Sequence, residues 1–442
     1  MVTILKDKGE PVGQLPTQPW RTHPATVRVM AALTAEGAPV RFVGGCVRDA
    51  LLHRPVKDID LATPEPPERV MALLRQAGLR ALPTGLAHGT VTAFVDEKSF
   101  EITTLRRDVT CDGRRAVVAY TDDWKEDAAR RDFTINALSA DPSGAVFDPF
   151  DGLSDLHRGR VRFVGAPKTR ITEDVLRLLR YFRFYGWYGR PPPNREALAA
   201  CRALAPCLAD LAGERVREEM GKILLAPDPA GVLLLMQGER VLEHVLPEGR
   251  DFGRLRLVAW FEDRGLRIPG ITPDPVRRLA AVLTVGREAI EILGARLRLS
   301  RRETRRLCGL VEESVAPDLL PVPGMAEPVL RRALQVLGAE RFRDLALLRW
   351  AARRAMTGRT ATAENLHWLH LLEGAAAWAP RAFPVGGGDV LALGIEPGPK
   401  VGLWLARLRQ TWEETGCAAD RQTLLAHLTE WVGKRETTGE AS

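Results

Sequence analysis

The sequence predicts an α/β domain at the N-terminus, followed by a long region built only of helices. Residues 1 to about 160 alternate between short apolar strand patterns and amphipathic helix patterns, and two of the strands follow each other as in a hairpin. From about residue 170 onward the strand patterns disappear, and apolar residues recur at helical spacing between proline and glycine breaks. We therefore expect an α/β head with a mixed sheet and flanking helices, and an all-α remainder.

The composition is typical of a soluble globular protein. The 442 residues are 45% hydrophobic and 27% charged, with a net charge of +7 carried mostly by arginine. No apolar run approaches the roughly 20 residues that a membrane-spanning helix needs, and the N-terminus shows no signal-peptide pattern. The six cysteines are scattered without a C-x-x-C pair, which argues against a zinc site or a disulfide framework. We expect a cytoplasmic protein without a membrane partner. The positive charge permits a nucleic-acid partner without establishing one, and nothing indicates the oligomeric state.

The first predicted strand ends in a glycine turn. The stretch "PVRFVGG" predicts a strand that ends at Gly44 and Gly45, and "CVRDALLH" predicts a helix directly after it. Glycines at such a turn let backbone N–H groups approach a phosphate closely. Arg48 lies four residues after Gly44 and can reach the same anion. The alternative is a tight turn with a surface arginine.

Three acidic residues follow on the next strands. "DIDLAT" predicts a strand on which Asp58 and Asp60 share one face, where two carboxylates repel each other unless a cation lies between them. After a predicted helix, "GTVTAFVD" and "SFEITTL" predict a strand pair, and the second strand, which carries Glu101, could lie beside the first. Carboxylate oxygens from two strands suit Mg²⁺, which activates hydroxyls and neutralises leaving phosphates. The alternative is an exposed strand rim with ordinary acids.

The motif "ARRDFTINALSA" combines groups that suit a nucleotide. Asp132 and Asn136 are spaced i, i+4 on a short helical turn, so both could face one ligand together with Arg131. Arginine donates to phosphate or sugar oxygens, and the other two residues suit ribose hydroxyls. A capped helix start is an equally good interpretation of these residues alone.

The stretch "TEDVLRLLRYFRF" predicts one helix over residues 172–184. Asp174, Arg177, Arg180 and Arg183 are spaced by three and form a drifting column along it. Ion pairs on a solvated helix face are one interpretation. The other is base selection, because a carboxylate at Asp174 accepts from the amino group of cytosine or adenine while Arg177 donates to the ring nitrogen. Uracil and guanine present the reverse pattern, so such a pair accepts CTP and ATP without a template.

These motifs occur in the order found in a known family. The chain resembles the class II tRNA nucleotidyltransferases, the bacterial CCA-adding enzymes, whose superfamily also holds the bacterial poly(A) polymerases. The resemblance covers about residues 40–225, continues more weakly to about 415, and rests on these motifs: "GGCVRD…DID", "EITTLR", "RRDFTINAL", "DPFDGLSDLHRGRVRFVG", "TEDVLRLLRYFRF" and "GERVREEMGKIL". It implies a catalytic nucleotidyltransferase head (1–165), a base-selecting neck (166–235), a helical body (236–384) and a tRNA-contacting tail (385–442).

The resemblance also implies roles for individual residues. In this chain the catalytic carboxylates would be Asp58, Asp60 and Glu101, of which the first two would bind Mg²⁺. The nucleotide-binding residues would be Gly44, Gly45, Arg48, Arg131, Asp132, Asn136, Asp174, Arg177, Arg180 and Arg183. The substrates would be CTP, ATP and the 3′ end of tRNA, with the arginines of 296–306 and the tail contacting tRNA phosphates. Residues 112–127 occupy the place of the family's flexible loop.

Four alternatives stay open. A poly(A) polymerase uses the same chemistry, although it usually carries basic extensions that this chain lacks. An enzyme that adds only CC, or only A, shares the motifs as well. A catalytically inactive RNA-binding relative is the alternative from another class, and the complete set of carboxylates argues against it.

Overall fold

The computed structural model describes residues 9–112 and 115–438. The chain divides into two compact units, one of Met1–Leu211 with Leu235–Val245 and one of Ala212–Leu234 with Leu246–Ser442. None of the helices in the described ranges is both long and apolar enough to cross a membrane. The finer subdivision at residues 165, 235 and 384 stays a prediction.

The first unit contains a mixed β-sheet. Its described strands are β1 (Gly13–Gln14), β2 (Arg41–Val43), β3 (Ile59–Thr63), β4 (Arg80–Gly85), β5 (Thr90–Val95), β6 (Lys98–Thr104), β7 (Arg106–Asp112), β8 (Arg115–Tyr120), β9 (Ser139–Ala140) and β10 (Ala145–Phe147). Within the described residues eight of them form one sheet in the order β1-β10-β9-β2-β3-β6-β5-β4. In this sheet β3 and β6 run parallel, whereas the other neighbouring pairs are antiparallel. The predicted hairpin-like pair is confirmed as β5 and β6.

The strands β7 and β8 pair separately as an antiparallel ribbon. β8 falls in the segment 112–127 that the resemblance assigns to the family's flexible loop, whereas β7 ends at the first residue of that segment. Residues 113 and 114 of that segment lie outside the described residues, so the expectation for the loop stays a prediction.

Helices flank the sheet of the first unit. They are α1 (Pro19–Thr22), α2 (Pro24–Thr34), α3 (Gly45–Leu51), α4 (Pro67–Gln76), α5 (Trp124–Ala129), α6 (Gly152–Arg158), α7 (Pro167–Glu173), α8 (Leu176–Tyr188) and α9 (Arg195–Leu204). Alternation along the strands buries Phe42, Leu61 and Ile102, each at most 1% exposed. The residues next to these along each strand, including Asp60 and Glu101, therefore face the other side of the sheet.

The rest of the chain is helical, as predicted. The helices are α10 (Gly213–Leu224), α11 (Pro229–Gly238), α12 (Leu242–Val245), α13 (Phe252–Trp260), α14 (Pro275–Val282), α15 (Arg287–Arg296), α16 (Arg301–Gly309), α17 (Glu327–Leu337), α18 (Ala339–Thr357), α19 (Thr362–Ala377), α20 (Gly387–Leu391), α21 (Pro399–Glu414) and α22 (Arg421–Thr438). No strand follows β10 within residues 115–438. The fold class predicted from the sequence is therefore confirmed.

A buried ionic network lies inside the second unit. Arg277 donates to Glu262 and to Asp344 at 2.6 Å each, and Arg278 donates to the other oxygen of Glu262 at 2.5 Å. All four side chains are at most 2% exposed. Because each buried charge has an opposite partner, the network is tolerated in the helical interior, and removal of one member would leave a charge without compensation.

Candidate active site

Two acidic side chains meet where β3 and β6 run side by side. The parallel register pairs Asp60 directly with Glu101, so both side chains lie on the same face of the sheet. Asp58 immediately precedes β3 and is exposed, so the prediction that it lies on this strand and shares a face with Asp60 is not confirmed. The expectation that the strand of Glu101 lies beside the strand of Asp60 is confirmed by this register.

The pKa of Asp60 reflects both its burial and the negative charge of the neighbouring acids. Burial, together with repulsion from Glu101 and Asp58, raises the pKa of Asp60 to about 6, although Arg131 lowers it in part. The nearby acids thus outnumber the nearby cation.

The donor set fits a hard divalent cation. Carboxylate oxygens are the ligands that Mg²⁺ prefers, and a cation would relieve the repulsion around Asp60. In residues 9–112 and 115–438 no three acidic, histidine or cysteine side chains converge closely enough to hold a metal ion by themselves. Mg²⁺ usually takes one or two carboxylates and completes its shell with water and substrate phosphates. Asp58 and Asp60 could supply those carboxylates.

The glycine turn lies beside the carboxylates and is covered by Arg131. Gly44 has φ 70° and ψ −122°, a conformation that favours glycine, and a Cβ atom there would lie 3.1 Å from Nη1 of Arg131. The same guanidinium donates through Nη2 to Asp127 Oδ2 at 3.2 Å. Burial by itself would raise the pKa of Asp127, but Arg131 and Arg130 outweigh it and hold that pKa below its usual range. Arg131 is thus held between the glycine turn and Asp127.

The predicted sugar-binding residues are joined to Arg48 and Arg180 by hydrogen bonds. Arg48 donates to Asn136 Oδ1, and Asn136 Nδ2 donates to Asp132 Oδ1 at 2.8 Å. Arg180 donates to Asp132 Oδ2 through Nε at 2.7 Å and through Nη2 at 2.5 Å. Burial opposes ionisation of Asp132, yet Arg180, together with the hydrogen bonds from Asn136 and the Phe133 amide, lowers its pKa. The sequence prediction therefore selected residues that form one connected chain.

Three predicted arginines surround one aromatic ring. The guanidinium carbons of Arg48, Arg180 and Arg183 lie 5.3, 5.5 and 4.6 Å from the centroid of Phe184. Such stacking keeps guanidinium groups ordered while leaving their N–H edges able to donate. The cluster gathers three guanidinium groups around one residue of α8, and two of them, Arg48 and Arg180, are paired with Asp49 and Asp132.

The predicted single helix over residues 172–184 is wrong, because the helix is interrupted at Asp174. Helix α7 ends at Glu173 and α8 begins at Leu176. Asp174 has an extended backbone (φ −152°), and its carboxylate accepts from the Leu176 amide at 3.2 Å. An aspartate that binds an amide two residues ahead offers the backbone an alternative to the helix. Arg177, Arg180 and Arg183 do lie on α8, as expected.

Arg177 is held close to the Arg131 segment. It donates to Glu173 at 2.5 Å, to the Arg170 carbonyl at 3.1 Å and to the Arg130 carbonyl at 3.4 Å. The predicted base-selecting arginine thus reaches the backbone of the motif that also carries the predicted sugar contacts.

The sequence interpretation missed two residues that position these groups. Arg170, only 8% exposed, donates to the carbonyls of Arg130 and Arg131 and pairs with Glu173. Asp127, 3% exposed, anchors Arg130 and Arg131 at i+3 and i+4. The helical spacing of Asp127 was a usable signal. The carbonyl contacts of Arg170 span some 40 residues and have no local pattern.

Two family models and a solved structure are similar to this chain. A family model described as "Poly A polymerase head domain" matches residues 40–162, and one described as "Probable RNA and SrmB- binding site of polymerase A" matches residues 193–252. The crystal structure of the Bacillus stearothermophilus CCA-adding enzyme in complex with CTP is similar with a TM-score of 0.72 and 25% identity, covering 96% of this chain and 100% of that chain.

Two curated relatives extend the similarity. The CCA-adding enzyme of Streptococcus gordonii is 40% identical over 201 residues, which cover 45% of this chain and 49% of the relative. The Mus musculus protein named "CCA tRNA nucleotidyltransferase 1, mitochondrial" is 34% identical over 398 residues, which cover 89% of this chain and 87% of the relative. With this identity over nearly its whole length, the chain belongs to the CCA tRNA nucleotidyltransferase family.

Proposed function

We propose that this protein adds C, C and A in turn to the 3′ end of tRNA, using CTP and ATP and no nucleic-acid template. The 3′ hydroxyl of the tRNA attacks the α-phosphate of the nucleotide, and pyrophosphate leaves. Similarity to a CCA tRNA nucleotidyltransferase over 89% of the chain supports the reaction. Within the site, the main support for this reaction is the strand register that pairs Asp60 with Glu101, beside the glycine turn and Arg131.

Mg²⁺ is the cation that we assign to the carboxylates. Asp58 and Asp60 would hold it, and Glu101 would orient them or add a ligand. When bound, such an ion neutralises phosphate charge and lowers the pKa of an attacking hydroxyl. The raised pKa of Asp60 in the protein alone supports a cation there, because the carboxylates lack a sufficient positive partner.

The arginines around Phe184 would hold the triphosphate. Arg48 is bonded to Asp49 and Asn136 and is 7% exposed, so it would present an already ordered edge. Arg180 and Arg183 add charge from α8. The amides at Gly44 and Gly45 would approach the same phosphates, and Arg131, Asp132 and Asn136 would surround the sugar.

Asp174 and Arg177 would read the base. Their carboxylate and guanidinium complement the amino group and ring nitrogen shared by cytosine and adenine. Asp174 lies in the break between α7 and α8, where an extended backbone frees it from helical geometry. This position supports a role that requires reaching a ligand.

The tRNA backbone would contact the helical region that includes α16. Arg301 and Arg305 are exposed on α16 and line a cavity of about 670 Å³ together with Arg341. Burial lowers the pKa of Arg341, which donates to the carbonyls of Gly309 and Ser314. A partly desolvated cation beside exposed arginines suits a phosphodiester chain.

We place the protein in the cytoplasm, although the similar Mus musculus enzyme is named mitochondrial.

Nucleotide addition to defined tRNA transcripts tests the proposal. Transcripts lacking CCA, CA or only A are incubated with each single nucleotide, and the products are sized on a sequencing gel. We expect CTP and ATP incorporation that stops after A, and no use of UTP or GTP. Asp60→Asn should abolish addition, whereas Asp96→Asn, an exposed aspartate at the β5–β6 turn (φ 54°), should not. Asparagine also tolerates that left-handed conformation.

Other products would identify the alternatives. An extended ladder of A residues would indicate a poly(A) polymerase, the function named by the matching family models. Incorporation confined to CC, or to the final A, would indicate a partial enzyme. Transcripts that bind without any extension would indicate an inactive RNA-binding relative.

A further inference from the structure

The carboxylate of Asp49 joins Arg48 to the end of α8. Arg48 donates to both oxygens of Asp49, through Nε and Nη2 at 2.9 Å each. The Tyr188 hydroxyl, on the last residue of α8, donates to Asp49 Oδ1 at 2.9 Å. Arg48 also stacks on the Tyr188 ring, with 4.3 Å between the guanidinium carbon and the centroid. Tyr188 thus contacts the Arg48 guanidinium directly through its ring, and indirectly through the hydrogen bond from its hydroxyl to Asp49.

A second route joins the same two elements. From Arg48 the hydrogen bonds run through Asn136 and Asp132 to Arg180, which lies on α8 two turns before Tyr188. The two routes and the helix form a closed loop, which we call the Arg48 ring: Arg48, Asn136, Asp132, Arg180, Tyr188 and Asp49.

The ring fixes the orientation of Arg48 while leaving part of it available. Arginine carries five N–H donors, and the bonds to Asp49 and Asn136 use three of them. The remaining donors on Nη1 and Nη2 stay available, and Nη2 lies 3.6 Å from the position of a Cβ atom on Gly45. Because the planar guanidinium is held on two sides, a small movement of Asp49 or Tyr188 redirects these donors.

Helix α8 makes the ring sensitive to events at its other end. The helix starts two residues after Asp174 and carries Arg177 in its first turn, and its 13 residues end at Tyr188. A helix of this length spans about 20 Å. Arg177, Arg180 and Tyr188 lie on this one element, so a shift of the helix as a unit would move all three together.

We propose that Asp49 and Tyr188 are positioning residues that couple the orientation of Arg48 to the base-selecting end of α8. A nucleotide with the correct base leaves α8 in place and keeps Arg48 directed at the phosphates. An incorrect base shifts α8 and turns Arg48 away. The inference rests on the proposed function and adds residues that contact neither base nor metal. Base selection would then depend on Tyr188 although it lies at the far end of the helix.

The test uses Tyr188→Phe, which keeps the stacked ring and removes only the hydroxyl. The matched control is Tyr185→Phe, on the same helix, where the ring stacks on Tyr181. The full-length proteins are compared for kcat and KM with CTP and with UTP on a transcript lacking CCA, and for their thermal unfolding midpoints. We expect Tyr188→Phe to raise KM for CTP about 10-fold and to lower the CTP-over-UTP preference about 10-fold, the size expected when one hydrogen bond to a charged group is removed. For Tyr185→Phe, kcat and KM should stay within about two-fold of the wild-type values. The thermal unfolding midpoints of both variants should stay within about 2 °C of the wild type.

A double variant separates positioning from simple packing. Asp49→Asn removes the charge that receives both the Arg48 and Tyr188 bonds, so Tyr188→Phe should have less than about a three-fold effect in that background. If the effects of Asp49→Asn and Tyr188→Phe on KM and on base preference multiply in the double variant, the two residues act independently and the proposal is wrong. The proposal is also wrong if the wild type adds CCA normally and Tyr188→Phe cannot be distinguished from Tyr185→Phe. A wild-type protein that neither binds CTP nor extends tRNA would overturn the proposed function and the ring together.

Discussion

Substitution of Asp132 by asparagine provides a direct test of how the site is held together. Asp132 is 8% exposed and accepts four hydrogen bonds: two from Arg180, one from Asn136 and one from the Phe133 amide. Asparagine keeps the shape but replaces one acceptor oxygen with a donor. Arg180 donates to Oδ2, and Asn136 and the Phe133 amide donate to Oδ1, so whichever oxygen becomes the amide nitrogen, two of the four bonds are replaced by N–H groups that face each other.

The expected cost follows from these hydrogen bonds. A hydrogen bond to a charged group contributes about 1.5–3 kcal/mol, and breaking a fully buried ion pair costs about 3–5 kcal/mol. The Arg180 side chain is 31% exposed, so water compensates it in part when its partner is removed. We therefore expect Asp132→Asn to lower the local free energy of opening at α8 by about 2–3 kcal/mol.

Native-state hydrogen exchange read by mass spectrometry measures this quantity for peptides from α8. The exposed Asp122 gives a matched control, and Asp122→Asn should change the same peptides by less than about 0.5 kcal/mol.

The stabilisation that ionised Asp132 provides should decrease as the pH falls. The pKa of Asp132 lies below its ordinary value because Arg180 and the hydrogen bonds outweigh the effect of burial. The stabilisation is therefore complete above about pH 4, the unfolded value, and disappears as the pH falls through the folded pKa. The difference between wild type and Asp132→Asn should be constant between about pH 5 and 7 and shrink below about pH 4. A difference under about 0.5 kcal/mol at neutral pH, or one that does not shrink in acid, would refute the assignment.

Three further predictions concern other parts of the molecule. Asp344→Asn should destabilise the second unit by about 3–5 kcal/mol in urea unfolding, because it removes one of the two acids bonded to the buried Arg277, whereas Asp318→Asn at an exposed pair should destabilise it by under about 1 kcal/mol. Replacing Arg301 and Arg305 by serine should weaken tRNA binding and reduce the slope of log K against log salt by about 1 for each phosphate that is no longer neutralised, measured by filter binding. An unchanged slope would remove α16 from the tRNA surface. Asp174→Ala should lower the CTP-over-UTP preference more than it lowers kcat with CTP, and unchanged discrimination in single-nucleotide kinetics would contradict the base-selecting role.

The strand patterns predicted the head well because each strand carries its own alternation. The pattern predicts the strand of Asp60 and the strand of Glu101, and it places them side by side because of the acids they carry, although β3 begins at Ile59 and leaves Asp58 outside it. The structure adds the parallel register that pairs Asp60 with Glu101. Local periodicity cannot specify such a register, because parallel neighbours are distant in sequence and depend on the packing of the whole sheet.

The break at Asp174 shows the opposite case. Residues 172–184 have helical spacing throughout, and propensity alone favours one continuous helix. The deciding interaction is a single side-chain bond from the Leu176 amide, together with the contacts that hold Glu173 and Arg170 to the neighbouring segment. Aspartate favours such local bonds, so a helix pattern with an internal aspartate permits a break without requiring one.

Arginine content by itself is a poor guide to nucleic-acid binding in this chain. The net charge of +7 is the same whether an arginine faces solvent or is neutralised inside the protein. Arg277 and Arg278 are buried against acids and contribute nothing to a surface potential. Arg301 and Arg305 are exposed on α16 beside a cavity, so their charge acts on whatever approaches. Because steering and counterion release depend only on accessible charge, the position of each arginine in the fold, and not the total, determines which face attracts RNA.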